Sequence, residues 1–595
     1  MKWKNSQNPD ILYNLEESIF TNVFENNGLL VPEYIPIVGT EFLNNIENYS
    51  QVDICIYIMK LYFSDDLPNE IIESIVKESI TFDCPLRIIK KKLYICELFK
   101  GPTMAFKDYG ARIMSKMFNY FYKKGTRVIV ATSGDTGAAV ANAFSNTNIP
   151  VTIFYPHDKI TKFQKKQITT NNPNISCVEV SGDFDQCQKI VKYLLSFQKI
   201  GNTRLTTANS INICRLIPQI FYYFITYSKL KKYNQLINFV IPSGNLGNAT
   251  ACVMAKKMGL PINKIIIACN SNNVIPEYLN TGIFSPRSSV KTISNAMDIG
   301  NPSNFERIHY FYGRNIENIR KDIISNYVTD FDTANCIKYI YNSHNYLLDP
   351  HTSVGYCSYN MYNMYNNHNE ELFVINATAS PFKFKKILDN ILYPNSVVLP
   401  EMFKNILIKK SYNVFMKPEI DIYEKLLKTQ TIILIGMPGS GKSSVGKYLK
   451  KHNFNWNDTD KLIEKQHNST LNNIIQERGN DAFLEIEEKI ITTSQNIVKK
   501  GSKNVISTGG SVVYNENIMN HLRNLGTIIH LDIDINVLVK RINNFVERGV
   551  VFNDGETITT LYHKRNPLYK KYADIYVDNS RFNIHEIGNI ISNLL

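Results

Sequence analysis

Residues 100–112 read KGPTMAFKDYGAR. The Gly101-Pro102 pair breaks whatever element precedes it, and Lys107 then follows the apolar Met104, Ala105 and Phe106. An amine in apolar surroundings loses part of its preference for the proton, and a neutral amine attacks aldehydes. On these residues alone, a surface lysine opening a helix is an equally open reading. The rest of the chain decides between them.

Working outward, short apolar runs alternate with helical patterns from about residue 85 to 380: TRVIVAT (126–132), PVTIFYP (150–156), INFVIPSG (237–244), NKIIIACN (263–270) and ELFVINAT (371–378). That alternation predicts an α/β fold with parallel sheets covered by helices. Four of the runs end in Gly, Ser, Thr or Asn clusters, where ligands sit in such folds. ATSGDTGAAVA (131–141) and PSGNLGNATA (242–251) each pass from strand to helix through glycines, so backbone N–H groups and the helix dipole face an anion there. Such a turn is also ordinary structural punctuation when met alone.

After Leu399 a stretch without glycine runs to Gln430 and reads as helical pieces broken at Pro418. TIILIGMPGSGKSSVGKYL then opens a second unit, with GxxxxGKS over Gly436–Ser443 between a strand and a helix. That is the Walker A setting: Gly439, Ser440, Gly441 and Ser444 wrap phosphates, Lys442 reaches their oxygens, and the Ser443 hydroxyl holds Mg2+ with ATP. The expected division is 1–429 and 430–595.

The bulk properties bound the function. At 595 residues, the chain is too long for one core. No apolar run is long enough to span a bilayer, so no membrane is expected as a partner. The ten cysteines lie in apolar strings without a C-x-x-C pair, as reduced core residues do. The N-terminus lacks the basic-then-apolar plan of a secretory signal, and the expected location is cytoplasmic. The net charge of +13 comes from scattered lysines with no basic-aromatic interleaving. This argues against nucleic acid and suits small anionic substrates. An oligomer is possible.

GPTMAFKDYGAR, TSGDTGAA, PSGNLGN, SNAMD (294–298), DPHTSVGY (349–356) and NATASPFKF (376–384) together resemble the threonine synthase family over residues 1–429. The resemblance implies a fold-type-II pyridoxal phosphate enzyme with two α/β subdomains, turning O-phospho-L-homoserine and water into L-threonine and phosphate. It implies that Lys107 holds pyridoxal 5'-phosphate as a Schiff base and acts as the base for the α and β protons. The cofactor phosphate is expected in the loop Gly244, Asn245, Leu246, Gly247 and Asn248, with Thr378 against the ring nitrogen. A second anion site for the substrate phosphate is assigned to Ser133, Asp135, Thr136, Asn212, Arg215 and Asn295. Ser380 stands where the family often has His, which removes any imidazole relay. Asp108 reads equally as a helix cap, and His351 as a satisfied core or turn histidine.

NDTDKLIEKQ, ISTGGS, LDIDINVLVKRI and KRNPLYKKYAD make residues 430–595 resemble shikimate kinase, a P-loop α/β domain like the nucleoside monophosphate kinases. The resemblance implies that Asp458 assists Mg2+, Asp460 contacts the acceptor hydroxyl, Gly510 packs on the acceptor and Arg565 pairs with its carboxylate. Arg548 would be a lid arginine over ATP, although the usual Arg-Pro is Arg-Gly here. Two departures touch the acceptor. Leu484 replaces the arginine of F-R-x-x-E, and Ser511 replaces a third glycine. The acceptor is shikimate or another small hydroxy acid such as homoserine; a nucleotide-binding regulator without turnover is the remaining reading.

Overall fold

The computed structural model describes residues 1–21, 28–170, 173–366, 371–493, 497–541, 550–551 and 555–595. Contacts divide them into two compact units. The first holds Met1–Ile153, Asp158–Asn172 and Leu205–Ser411, and the second Phe154–His157, Pro173–Arg204 and Tyr412–Leu595.

In the first unit six strands stand in the order Ile323–Tyr327, Ile262–Cys269, Ile237–Pro242, Leu372–Ala377, Leu93–Glu97 and Leu86–Lys90. The first five are mutually parallel, and the last closes the edge antiparallel. Phe239 pairs with Ile265 on one side and Val374 on the other. The central strands are largely apolar because helices cover both faces, and Val240, Ile266 and Ile375 have no exposed surface. Thr126–Ala131 is a further strand of this unit. Its end is clamped by Asn209, which accepts from the Ala131 N–H at 3.1 Å and donates to the Ala131 carbonyl at 2.7 Å.

In the second unit the strand order is Asn455–Asp458, Asn504–Ser507, Thr431–Ile435, Thr527–Asp532, Ile575–Asp578, Val414–Met416 and Ile175–Val180. The first five are parallel, with the phosphate-loop strand Thr431–Ile435 between two neighbours.

One element departs from expectation. Residues 400–430 are not purely helical: between the helices Glu401–Ile408 and Ile422–Thr429 lies the strand Val414–Met416. It pairs antiparallel with Ile575–Tyr576 and parallel with Val178–Val180. Three residues are too few to show an alternation, so no periodicity announces this strand. Its pairing explains why residues 173–204 belong to the same compact unit as 412–595. All ten cysteines are free thiols, nine of them buried. Among the described residues no helix is long and apolar enough to cross a membrane.

Candidate active sites

Lys107 opens the helix Lys107–Phe121, and the end of the strand Leu372–Ala377 determines where it sits. The chain leaving that strand runs beside residues 104–106. The Phe106 N–H donates to the Thr378 carbonyl at 2.9 Å, and the Ser380 N–H donates to the Met104 carbonyl at 3.0 Å. The sequence-predicted amine and ring-contacting hydroxyl are thereby held on adjacent backbone segments. Met104 adopts a φ of 57° to turn the chain into this position. Asp108 does not cap its own helix. Its carboxylate turns back to accept from the Thr103 N–H at 2.9 Å and the Thr103 hydroxyl at 2.5 Å, closing the GPTMAF turn.

The Lys107 side chain is 17% exposed, and its Nζ lies 4.0 Å from Asp135 Oδ2. Burial brings the amine down to about 8 against the pull of Asp135, with repulsion from Lys383 and Arg215 acting in the same direction as burial. Asp135 begins the helix Asp135–Phe144 after Gly134, whose φ of 133° suits only glycine. The other Asp135 oxygen accepts from Lys383 Nζ at 2.5 Å and Gln164 Nε2 at 3.0 Å. Burial raises this carboxyl, but the Lys383 and Lys107 ammonium groups overcome it and hold it well below the usual carboxylate range. Lys383 also donates to the Thr103 carbonyl at 3.0 Å. Sequence reasoning missed it because FKFKK offers three lysines and nothing that sets one apart.

The second loop carries the strand Ile237–Pro242 into the helix Gly247–Lys257. A helix start leaves its first N–H groups without intrahelical partners. Gly244 lets this loop approach SNAMD, since a Cβ there would stand 2.9 Å from the Ala296 carbonyl oxygen. Leu246 takes a φ of 60° to turn into the helix. Asn245 is a structural tie: it donates to Ser210 Oγ at 2.7 Å and accepts from the Ser303 N–H at 2.6 Å. Asn248 Oδ1 accepts from the Tyr222 and Tyr223 hydroxyls at 2.7 and 2.5 Å, while its Nδ2 is buried without a partner among the described residues. His351 reads as a satisfied histidine, with Nδ1 on Asp349 at 2.8 Å and Nε2 accepting from the Ala296 N–H at 3.1 Å.

Arg215 Nε and Asn295 Oδ1 are also buried without partners among the described residues. Arg215 lies against the Lys107 helix at Gly110 and also donates to the Ala208 carbonyl at 2.6 Å. Asn212 is differently occupied. It caps a short helix by accepting from the Cys214 N–H and donates to the carbonyls of Ile19 and Thr207. Ser133 and Thr136 are half-buried in the turn around Asp135. An amine whose hold on its proton burial weakens, an orphaned amide donor and a glycine turn at a helix start suit a phosphorylated aldehyde.

In the second unit the phosphate loop bends through Gly436, Gly439 and Gly441 at φ of 148°, 80° and 89°. Lys442 Nζ donates back to the Gly436 and Met437 carbonyls at 2.7 and 3.1 Å, and burial brings it down to about 8. A cavity of about 310 Å³ is lined by this loop, including Gly439, Ser443 and Ser444, and by Asp460, Gly510, Ser511 and Arg565. Ser440 is buried behind it. Asp458 caps the helix Thr459–His467, accepting from the Lys461 N–H at 3.4 Å. Burial and the neighbouring Asp458 push Asp460 up to about 6. Gly510 allows close packing, since a Cβ there would stand 2.9 Å from Arg565 Nη1.

Arg565 is fully buried. It donates to the Tyr514 hydroxyl at 3.0 Å and the Val551 carbonyl at 2.6 Å, and its Nη1 has no partner among the described residues. Glu487, the closing residue of the F-R-x-x-E pattern and given no role in the sequence analysis, is equally buried; Ser511 donates to its Oε2 at 2.9 Å, and its Oε1 is unpartnered among the described residues. Arg548 lies outside the described residues.

Residues 5–80 match the threonine synthase N-terminal family, 84–377 the pyridoxal-phosphate dependent enzymes and 438–594 shikimate kinase. Threonine synthase of Buchnera aphidicola subsp. Schizaphis graminum is 38% identical over 413 residues, covering 68% of this chain and 94% of that protein. The crystal structure of the Escherichia coli threonine synthase matches with a TM-score of 0.67 at 31% identity, covering 72% of this chain and 99% of that one. The pyridoxal phosphate-bound threonine synthase of Brucella melitensis matches with a TM-score of 0.66 at 27% identity, over 72% of this chain and 99% of its own.

Proposed function

The chain belongs to the threonine synthase family, and on that premise we propose that residues 1–429 bind pyridoxal 5'-phosphate through Lys107 and convert O-phospho-L-homoserine and water into L-threonine and phosphate. The observation that carries the reading is the Lys107 amine, brought to about 8 by burial, on a segment whose preceding residue is tied to Thr378 by the Phe106–Thr378 backbone bond. Asn248 Nδ2 and the turn from Gly244 to Gly247 offer donors for the cofactor phosphate. The cofactor supplies the electron sink that stabilises negative charge beside the substrate amine.

The chain's own residues do the rest. Lys107, once free, takes the α proton and then the β proton. Asp135 and Lys383 fix the electrostatic setting of that amine. Arg215 retains an unpartnered Nε–H with which to hold the leaving phosphate, while the unpartnered Asn295 Oδ1 is an acceptor and suits a donor group of the substrate.

For residues 430–595 we propose transfer of the ATP γ-phosphoryl group to a small hydroxy acid, the class to which the family's shikimate belongs. Lys442 cradles the phosphates, Ser443 and Asp458 hold Mg2+, which neutralises phosphate charge, and Asp460 accepts the hydroxyl proton. Arg565 pairs with the acceptor carboxylate. Free thiols throughout fit a reducing compartment, so we place the enzyme in the cytoplasm.

The test is phosphate and threonine release from O-phospho-L-homoserine by the full chain, with ADP release measured separately on adding ATP, Mg2+ and shikimate. No threonine formation would overturn the first reading, and no ADP release with any hydroxy acid the second.

A further inference from the structure

The two family departures in the second site, Leu484 and Ser511, both bear on one group, Glu487. Ser511 supplies the hydroxyl that donates to Glu487 Oε2, and Leu484 supplies no charge where the family carries a guanidinium. The result is a fully buried carboxyl with no basic partner within hydrogen-bonding reach among the described residues and one oxygen unpartnered. That oxygen stands beside the cavity wall, 2.5 Å from where a Gly509 Cβ would be, with Asp460 Oδ1 2.9 Å from the same point. On the wall Arg565 presents the opposite case, a buried guanidinium with Nη1 unpartnered and no carboxylate bonded to it among the described residues.

We propose that the acceptor is a zwitterion, a short α-amino acid with a side-chain hydroxyl, whose carboxylate pairs with Arg565 and whose ammonium pairs with Glu487. The inference rests on the kinase reading above and narrows its substrate class.

Charge bookkeeping favours it. A buried carboxylate needs a cation or a proton. Arg565 and Lys442 act on Glu487 only through space, Arg565 being matched to the ligand carboxylate and Lys442 committed to the phosphate loop, so the cation that contacts it comes from the ligand. With no ligand, burial and the nearby Asp460 push Glu487 up to about 8, keeping it protonated until a cation arrives. The lining agrees as well. Leu471, Phe483, Val550 and Val551 suit a short methylene chain. In the transfer, the bond between the γ-phosphorus and its bridging oxygen to the β-phosphate breaks as the acceptor oxygen bonds to that phosphorus. The hydroxyl proton passes to Asp460, and ADP leaves. The product is a phosphate monoester of a hydroxy amino acid, the class that the reaction proposed for residues 1–429 consumes.

The test uses the full chain with ATP and Mg2+, measuring ADP release with L-homoserine, 4-hydroxybutyrate (its analogue without the ammonium), 3-aminopropan-1-ol (without the carboxylate) and shikimate. L-Homoserine is expected to exceed each of the others at least about tenfold in kcat/KM, the scale of a lost buried charge contact. In Glu487→Gln its preference over 4-hydroxybutyrate is expected to shrink to about threefold or less. Shikimate turnover without homoserine turnover overturns the zwitterion and leaves the kinase reading standing. Equal use of 4-hydroxybutyrate, or a preference that survives in Glu487→Gln, overturns the role of Glu487. No ADP release with any acceptor overturns the kinase reading and this inference together.

Discussion

Asp135 is shared between two amines: Lys383 Nζ lies 2.5 Å from its Oδ1 and Lys107 Nζ 4.0 Å from its Oδ2. The closer amine is fixed in a fully buried ion pair, and the more distant one, for which we propose the reactive role, stands outside hydrogen-bonding reach of that carboxylate. This division of labour gives the first prediction. Lys383→Met strands a buried carboxylate and is expected to cost about 3–5 kcal/mol of stability, the scale for breaking a buried pair. Asp135→Asn added to it is expected to return part of that loss. Chemical denaturation of the two variants checks this, and a single-variant loss under about 1 kcal/mol would show that the pair is not what holds Asp135.

The Lys107 amine, held down to about 8 from an ordinary 10.5, gives a pH dependence. Between those values the unfolded chain binds more protons at this site than the folded one. Protein freed of cofactor therefore gains stability from Lys107 as pH rises from 8 toward 10.5. Cofactor reloading needs the neutral amine, so its rate is expected to rise with a midpoint near pH 8. A midpoint near 10 would mean that burial does not tune this lysine.

Glu487 carries the opposite sign. Its carboxyl is raised from an ordinary 4.5 to about 8, so the folded state binds the extra proton across that window. Its contribution to stability is present below pH 4.5 and is lost as pH rises toward 8. Glu487→Gln removes that dependence and is expected to gain on the parent progressively from pH 5 to 8 in thermal denaturation without ligands. Parallel pH profiles for the two proteins would contradict the assignment.

Much of this was legible in the sequence, for identifiable reasons. Lys107 and the two glycine turns of the first unit stand out only in company with the other motifs, whereas the GxxxxGKS spacing of the second unit has few other uses. The parallel sheet shows in runs such as NKIIIACN, apolar on both faces. Val414–Met416 was not legible, because a three-residue strand has no period and is recruited by its neighbours. Lys383 looks like the lysines beside it, and only tertiary packing turns it onto Asp135. Glu487 escaped notice because the motif draws attention to the missing arginine at Leu484 rather than to the carboxyl three residues on.

In the second unit, Lys442→Met removes the buried amine folded over the phosphate loop and is expected to weaken nucleotide binding at least about 100-fold, as loss of a charged phosphate contact does. Titration with a fluorescent ATP analogue measures it, and affinity within about threefold of the parent would remove Lys442 from phosphate recognition.

The central claim concerns the amine at Lys107, and absorbance of the purified full chain tests it most directly. The parent is expected to show a band at about 400–430 nm from the lysine-bound cofactor and to form threonine from O-phospho-L-homoserine, while Lys107→Ala shows neither. Threonine formation undiminished in Lys107→Ala would contradict the account.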